Sequence, residues 1–464
     1  MSQELNVYCP QTNELLETVA YTGRQQMLEL VDRACAAQKK WEAVPLYERG
    51  EILYRFADLL EQDAEHISVL MAKDMGKPIL QARDETGSGS RLLRAAVERA
   101  KHLYGEVLTE NSPGMEGDIV FTKREPLGVI ACVIPFNFPI ELTFQKIAPA
   151  LIMGNAAIVK APSSTPLAVL ALAEIAQKAG LPEDVVSFVV CERDVMNECV
   201  VANPKVAAVS MTGSTGAGRE LAAKGAATLK RTFLELGGND AFLIFDDADA
   251  DRAVTEMVTG RMENNGQVCC SPKRFLVQRG IYDTIAAKLA ERLAALPAGS
   301  ALDEDAAVTC LVTEKAAIQV EQQIEKTVAQ GAKLLCGGTR EGARILPTVL
   351  TNVTAEMDIT SDMEIFGPVF PLIPFDTEEE AIRIANQSQF GLSSGLMTAS
   401  IEKAFRVGRQ LQAGAAVVNG CGGYRHLDQP FGGYKQSGLG REGTSISLEE
   451  FSHIKVYVVK GALC

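Results

Sequence analysis

Between residues 128 and 212, short apolar runs alternate with helical stretches, and this alternation limits the fold more than any other feature of the chain. GVIACVIP, AAIVKAP, VVSFVV and KVAAVSMTG are β-branched runs of strand length. LTFQKIAPALIMG follows the first of them, and TPLAVLALAEIAQKAG, closed by a glycine, follows the second. A strand that reads as one continuous apolar run is buried on both faces, as in a parallel sheet covered by crossover helices. Such sheets bind ligands at the carboxyl ends of their strands, where the polar tips FNFP, KAPSSTP and TGSTGAG fall. A second α/β series starts at AFLIFDDADADRAV, where Asp246, Asp247 and Asp249 offer helix N-caps, and continues through RFLVQ to AAVVNG.

The flanks differ. The first hundred residues read as helix, with Ile52, Phe56, Leu59 and Leu60 spaced for one buried face. TENSPGMEGD interrupts them, and IVFTKREPLG then reads as an extended excursion. The tail HIKVYVVK alternates like an edge strand, and pairing with residues 119–125 would make an intersubunit sheet. At 464 residues the chain exceeds one hydrophobic core and calls for two or three domains.

A formal charge of −14 argues against nucleic acid or an anionic membrane surface as partner. No apolar run is long enough to span a bilayer, and the polar, acidic first residues do not read as an export signal, so a cytoplasmic location is expected. Eleven cysteines are irregularly spaced, without any CxxC, and none of the four histidines is adjacent to one. They read as reduced thiols, and no metal site is expected.

Three short motifs bear chemistry, each with an ordinary alternative. MTGSTGAGRE sets Gly213, Gly216 and Gly218 between strand and helix, a turn able to admit a pyrophosphate, although the GxGxxG fingerprint is absent. LELGGND ends an apolar run on Glu235, either a solvated strand end or a base whose pKa apolar neighbours raise. NNGQVCCSP sets Cys269 beside Cys270. A nucleophilic thiol needs an electropositive, open setting, and spacing alone favours a structural role.

Taken together and in order, PFNFP, IVKAPSSTP, MTGSTGAGR, LELGGND, NNGQVCC, EIFGPV, GLSSGL and PFGGYKQSGLGRE closely resemble the non-phosphorylating, NAD(P)-dependent aldehyde dehydrogenases over nearly the whole chain. The resemblance implies a Rossmann-like cofactor domain (1–106 and 127–236), an α/β catalytic domain (237–445) and a small β bridging element (107–126 and 446–464), assembled as homodimers or homotetramers. It implies Cys269 as nucleophile toward a small-molecule aldehyde, with Asn137 and the Cys269 N–H holding the oxyanion. Glu235 would activate the water that hydrolyses the thioester. Lys160 and Glu364 would meet the cofactor riboses, and Ser214, with Gly213, the pyrophosphate. Phe366 would border the nicotinamide, with Pro135, Phe136 and Gly237 also at the cofactor.

The sequence departs from the family pattern in several places. Ser163 stands where NAD-preferring members carry glutamate, which removes a repulsion toward a 2′-phosphate. Arg193 either reaches that phosphate or is solvated, and the reading leans to NADP or dual use over NAD alone. SHIK replaces a TEVK-like pattern, so His453 is either a proton relay or an edge-strand residue. The arginine that binds substrate carboxylates in succinate-semialdehyde- and lactaldehyde-type members is replaced by Gln145, with Glu141 nearby. Glu141, Gln145, Cys270 and His426 are the pocket residues expected, for a small aliphatic, hydroxy- or semialdehyde. The rivals are a CoA-acylating relative, which Glu235 argues against, and an idle binding protein, which would have lost Cys269, Asn137 or Glu235.

Overall fold

The computed structural model describes residues 4–109 and 112–462. Its centre is a six-stranded sheet in the spatial order Gly438–Leu439, Arg231–Glu235, Val206–Thr212, Val129–Val133, Ala156–Lys160, Val186–Val189. All neighbours are parallel except the first pair. Alternate residues of one strand feed opposite cores, as the apolar runs require. Ile130 and Cys132 pack with Phe56, Leu93 and Phe144 on one side, while Val129 and Ala131 pack with Met27, Val31 and Leu221 on the other.

A seven-stranded sheet forms the second half, in the order Lys333–Cys336, Thr348–Thr351, Val369–Phe375, Pro272–Gln278, Asp240–Ile244, Ser394–Met397, Val417–Val418. Of the three aspartates offered as caps, Asp249 serves. Its carboxylate accepts from the Asp251 and Arg252 N–H groups at 2.9 and 3.0 Å and starts the helix Ala250–Met262. Asp247 instead accepts from the Thr398 hydroxyl.

The reading of the first hundred residues needs correction. The chain begins as a hairpin, Glu4–Tyr8 with Leu15–Ala20, turned at Asn13 with φ 58°, before the helices Arg24–Glu42, Leu46–Gln62, Ala64–Met75 and Ile79–Ala100. Asparagine tolerates that left-handed turn, which helix periodicity does not reveal. The tail strand Ser452–Val459 pairs with Ile119–Pro126 inside one chain, in register from Ser452↔Pro126 to Val459↔Ile119. The buried stripe of the second helix is centred on Leu53, Phe56 and Leu60, leaving Ile52 and Leu59 half-buried.

Candidate active site

The cysteine loop is built by backbone left-handedness. After Met262 the chain runs through Asn264, Asn265 and Gly266 at φ 45°, 53° and 79°. Asparagine and glycine are the residues that adopt this region at low cost. Gly266 is also forced by space, since a Cβ there would lie 2.3 Å from the Gly367 carbonyl oxygen of EIFGP. The side chains then fix the loop. Asn264 donates to the Asn137 carbonyl (3.0 Å), Asn265 to the Thr309 hydroxyl (2.7 Å), and Gln267 accepts from the Val312 N–H (2.9 Å). Arg261, fully buried, donates to the carbonyls of Ile365 (2.6 Å) and Val369 (3.0 Å).

This frame delivers Cys269 half-buried and Cys270 buried, just ahead of the strand Pro272–Gln278. The Cys270 thiol, donating toward its neighbour, does most to draw the Cys269 thiol below the usual cysteine range, and Lys273 and Arg425 assist against burial. The same contact and burial push Cys270 well up. The earlier sulfur is therefore the one that ionises first. Lys273 donates to the carbonyls of Cys269 (2.5 Å) and Val268 (3.1 Å), and its ammonium lies 3.4 Å from Glu364.

Glu235 ends its strand 3 % exposed, with no hydrogen-bond partner at either carboxyl oxygen. Burial, then the neighbouring Glu442, raises its pKa well above the carboxylate range, opposed by Lys146 and Arg425. Lys146 and Glu442 form a buried ion pair behind it, and Lys146 also donates to the Thr212 hydroxyl at 2.8 Å. Thr212 is the register neighbour of Glu235 in the sheet. Asn137 donates through its side-chain amide to the Gln267 carbonyl at 2.8 Å, which leaves its second amide hydrogen uncommitted to that bond.

One cleft is lined by Cys269, Cys270, Glu235, Glu442, Thr212, Phe138, Glu141, Glu263, Arg425 and Phe431. Glu141 and Cys270 therefore reach it as expected, whereas Gln145 is buried and absent from its lining. His426 lines an outer cleft that meets this one at Glu263 and Gly423, and its ring accepts from the Asp428 N–H at 3.2 Å. His453 is exposed on the tail strand beside the Arg231 guanidinium, outside that lining. Lys146, Glu442, Glu263 and Arg425 were missed by motif reasoning. Only Lys146, a lone charge in the apolar helix Pro139–Ile152, left a readable signal.

The residues expected to meet the cofactor gather near the strand tips. Lys160 ends its strand half-buried, with burial lowering its pKa, and its ammonium donates to the Ala161 carbonyl at 3.3 Å. Ser214 caps the helix Thr215–Ala226, accepting from the Ala217 N–H at 3.4 Å. A Cβ on Gly216 would meet open space, while one on Gly218 would strike Leu236 at 2.5 Å, so Gly218 serves helix packing. Phe136 meets Phe366 edge-on with ring centroids 5.9 Å apart, bringing PFNFP against EIFGP. Glu364 accepts from the Gly238 N–H at 3.2 Å, and a Cβ on Gly237 would lie 2.6 Å from its carboxylate. Ser163 follows the Lys160 strand, half-buried. Arg193 is two-thirds exposed and 3.5 Å from Glu220. Among the described residues no group of three or more His, Cys, Asp or Glu is placed to hold a metal ion.

A doubly wound sheet with open strand tips, meeting a depressed-pKa thiol and an unpartnered buried carboxyl, has the form of an α/β enzyme with a ligand site at its strand tips. The sequence model of the aldehyde dehydrogenase family matches residues 1–457. The mitochondrial succinate-semialdehyde dehydrogenase of Arabidopsis thaliana is 36% identical over 463 residues, covering 99% of this chain and 87% of that protein. The 3-sulfolactaldehyde dehydrogenase of Pseudomonas putida is 36% identical over 98% of this chain and 93% of its own. Among solved structures, a Burkholderia pseudomallei succinate-semialdehyde dehydrogenase superposes with a TM-score of 0.96 at 36% identity, covering 99% of this chain and 95% of that one. The chain belongs to the aldehyde dehydrogenase family.

Proposed function

We propose that this enzyme oxidises a small semialdehyde to its carboxylate with NADP or NAD, through a covalent adduct on Cys269. The observation that carries the reading is the shared cleft of Cys269 and Glu235, one group shifted toward its anion and the other kept as an unpartnered base. The Cys269 thiolate attacks the carbonyl carbon, and the carbonyl π pair moves onto oxygen. The Asn137 amide and the Cys269 N–H are the donors assigned to that oxygen, and such a donor is worth about 3 kcal/mol in the transition state. The dinucleotide, when bound, accepts the hydride that leaves the adduct carbon. Glu235 then takes a proton from water as the water oxygen bonds to the thioester carbon, and the C–S bond breaks to return the thiolate.

The chain's own cradle fits a dinucleotide. Open space over Gly216, the capped helix start at Ser214, the barely partnered Lys160 and the Phe136–Phe366 corner all lie at the carboxyl edge of the six-stranded sheet. Ser163, in place of an acid, supports acceptance of a 2′-phosphate, and close relatives include an NADP(+)-dependent succinate-semialdehyde dehydrogenase of Escherichia coli. Relatives named for succinate, glutarate and sulfolactaldehyde substrates support a small semialdehyde. The exposed Ile454, Val456 and Val458 of the tail strand support a homo-oligomer. Free thiols at every described cysteine support a reducing compartment such as the cytoplasm, and no described helix is long and apolar enough to cross a membrane.

Initial rates with succinate semialdehyde and each dinucleotide, followed by acid quench and peptide mass spectrometry, test the proposal. The expected result is reduced dinucleotide formed one-to-one with acid, and an acyl mass on the Cys269 peptide that accumulates in Glu235→Gln. An acyl group on another residue, or product released only when CoA is added, would refute it.

A further inference from the structure

Three ionisable side chains in the cysteine cleft, Arg425, Glu141 and Glu263, lack an ion-pair partner, and burial raises the carboxyl of Glu141 and pushes that of Glu263 up to about 7. The Arg425 guanidinium lies flat on the Phe431 ring, its carbon 3.5 Å from the centroid, and its Nη1 is buried without a hydrogen-bond partner. Stacking of this kind fixes the plane of the guanidinium and leaves its N–H edge for a carboxylate. Glu141 stands in the first turn of the helix Pro139–Ile152, but does not serve as its cap. The N–H groups of Ile140 and Glu141 are taken by Glu85 at 2.8 and 3.2 Å, and Glu85 in turn pairs with Lys77. Glu263 follows the helix Ala250–Met262 and lines both the cysteine cleft and the outer cleft that opens onto it. No ion pair among the described residues includes Arg425, Glu141 or Glu263, although all three line one cavity with Cys269.

Each simple substrate leaves part of this set unmatched. An uncharged aldehyde matches none of it. An aldehyde with only a remote carboxylate suits Arg425 but brings a like charge to the two acids. An aminoaldehyde suits the acids but brings no carboxylate to the buried, unpartnered Nη1 of Arg425. Resting on the dehydrogenase reading above, we infer that the substrate is a zwitterionic semialdehyde. Its carboxylate would sit on Arg425, its ammonium on Glu141 and Glu263, and its aldehyde carbon at Cys269. The acids would thus act as specificity residues beside the arginine, and the class of substrate is an α-amino acid whose side chain ends in an aldehyde.

The test uses four six-carbon aldehydes with the purified enzyme and NADP: hexanal, 6-oxohexanoate, 6-aminohexanal and 2-amino-6-oxohexanoate. The expected order of kcat/KM has the zwitterion first, by about tenfold or more over each singly charged analogue, as a charge-assisted hydrogen bond predicts. Arg425→Gln should lower the zwitterion-to-hexanal ratio by about tenfold. Glu141→Gln and Glu263→Gln should shift preference from the zwitterion toward 6-oxohexanoate. Equal or better turnover of 6-oxohexanoate or hexanal by the unmodified enzyme, with glutamine variants that leave the ratios unchanged, would overturn the inference while the dehydrogenase reading stands. No turnover of any of the four while succinate semialdehyde is oxidised would overturn the inference alone, and no turnover of succinate semialdehyde either would remove both.

Discussion

Glu235 titrates between two opposed neighbours, and replacing them one at a time should move its pKa in opposite directions. Lys146 is fully buried, Glu442 is 5 % exposed at its side chain, and the two are ion-paired behind the base. Glu442 raises the Glu235 pKa and Lys146 lowers it. The base acts deprotonated, so the rate rises as pH climbs through its pKa. Lys146→Met should therefore shift the acid limb of the kcat profile to higher pH, and Glu442→Gln should shift it lower. Each single change also strands a buried charge, which costs about 3–5 kcal/mol. In a chain of 464 residues, with an unfolding entropy of about 2 cal/mol/K per residue, that predicts a Tm drop of only about 3–5 °C. The double variant should recover most of the stability, because it removes both charges together. The assays are pH profiles of steady-state kcat, with thioester hydrolysis checked separately by quench, and thermal melts at one pH. Limbs that move in the same direction, or not at all, would refute the assignment of Glu235 as a base tuned by this pair.

Three further outcomes follow from the same geometry. Cys269→Ala should abolish aldehyde oxidation, while Cys270→Ala should retain turnover with the rising thiol limb moved to higher pH, as read by iodoacetamide inactivation rates across pH. Ser163→Glu should lower kcat/KM for NADP by about tenfold or more relative to NAD, since a carboxylate there repels a 2′-phosphate. Asp240 is buried, with its carboxyl pushed up to about 8, chiefly by burial. Its folded pKa is raised above the unfolded value, so its stabilising share is complete below pH 4 and is lost as pH rises through about 8. Asp240→Asn should accordingly gain in Tm against the unmodified enzyme as melts move from pH 6 to pH 9, and a gap independent of pH would refute this.

The parallel sheets were legible because a strand buried on both faces cannot disguise its apolar run, and Val129–Val133 splits its side chains between two cores as that reading requires. Cys269 and Glu235, the proposed nucleophile and base, were singled out because of the order of the motifs that carry them, and the structure brings both to one cleft. Other features depended on residues far apart in the chain. Lys146 and Glu442 meet across the whole catalytic segment, and nothing local to GRE marks its glutamate as buried. Arg425 sits in a loop rich in glycine and aromatic residues whose course is set by stacking on Phe431, so its arrival beside Cys269 has no periodicity to announce it. Gln145 was expected in the pocket from its neighbourhood to FNFP, but the helix buries it. The αL run at Asn264–Gly266 was present in the letters NNG, whose conformational meaning emerges only with Gly367 pressed against it.

The short strand Gly438–Leu439 closes the open edge beside Arg231–Glu235, pairing Gly438 with Glu235 itself. Its partner in the sheet was made roughly two hundred residues earlier, a separation that places this pairing among the slowest kinds of contact to form. On the ribosome, the sheet that carries Glu235 must therefore wait, edge unsealed, until Gly438 has emerged. A nascent chain stalled before that point would carry both Cys269 and Glu235 yet lack the seam that pairs with one of them.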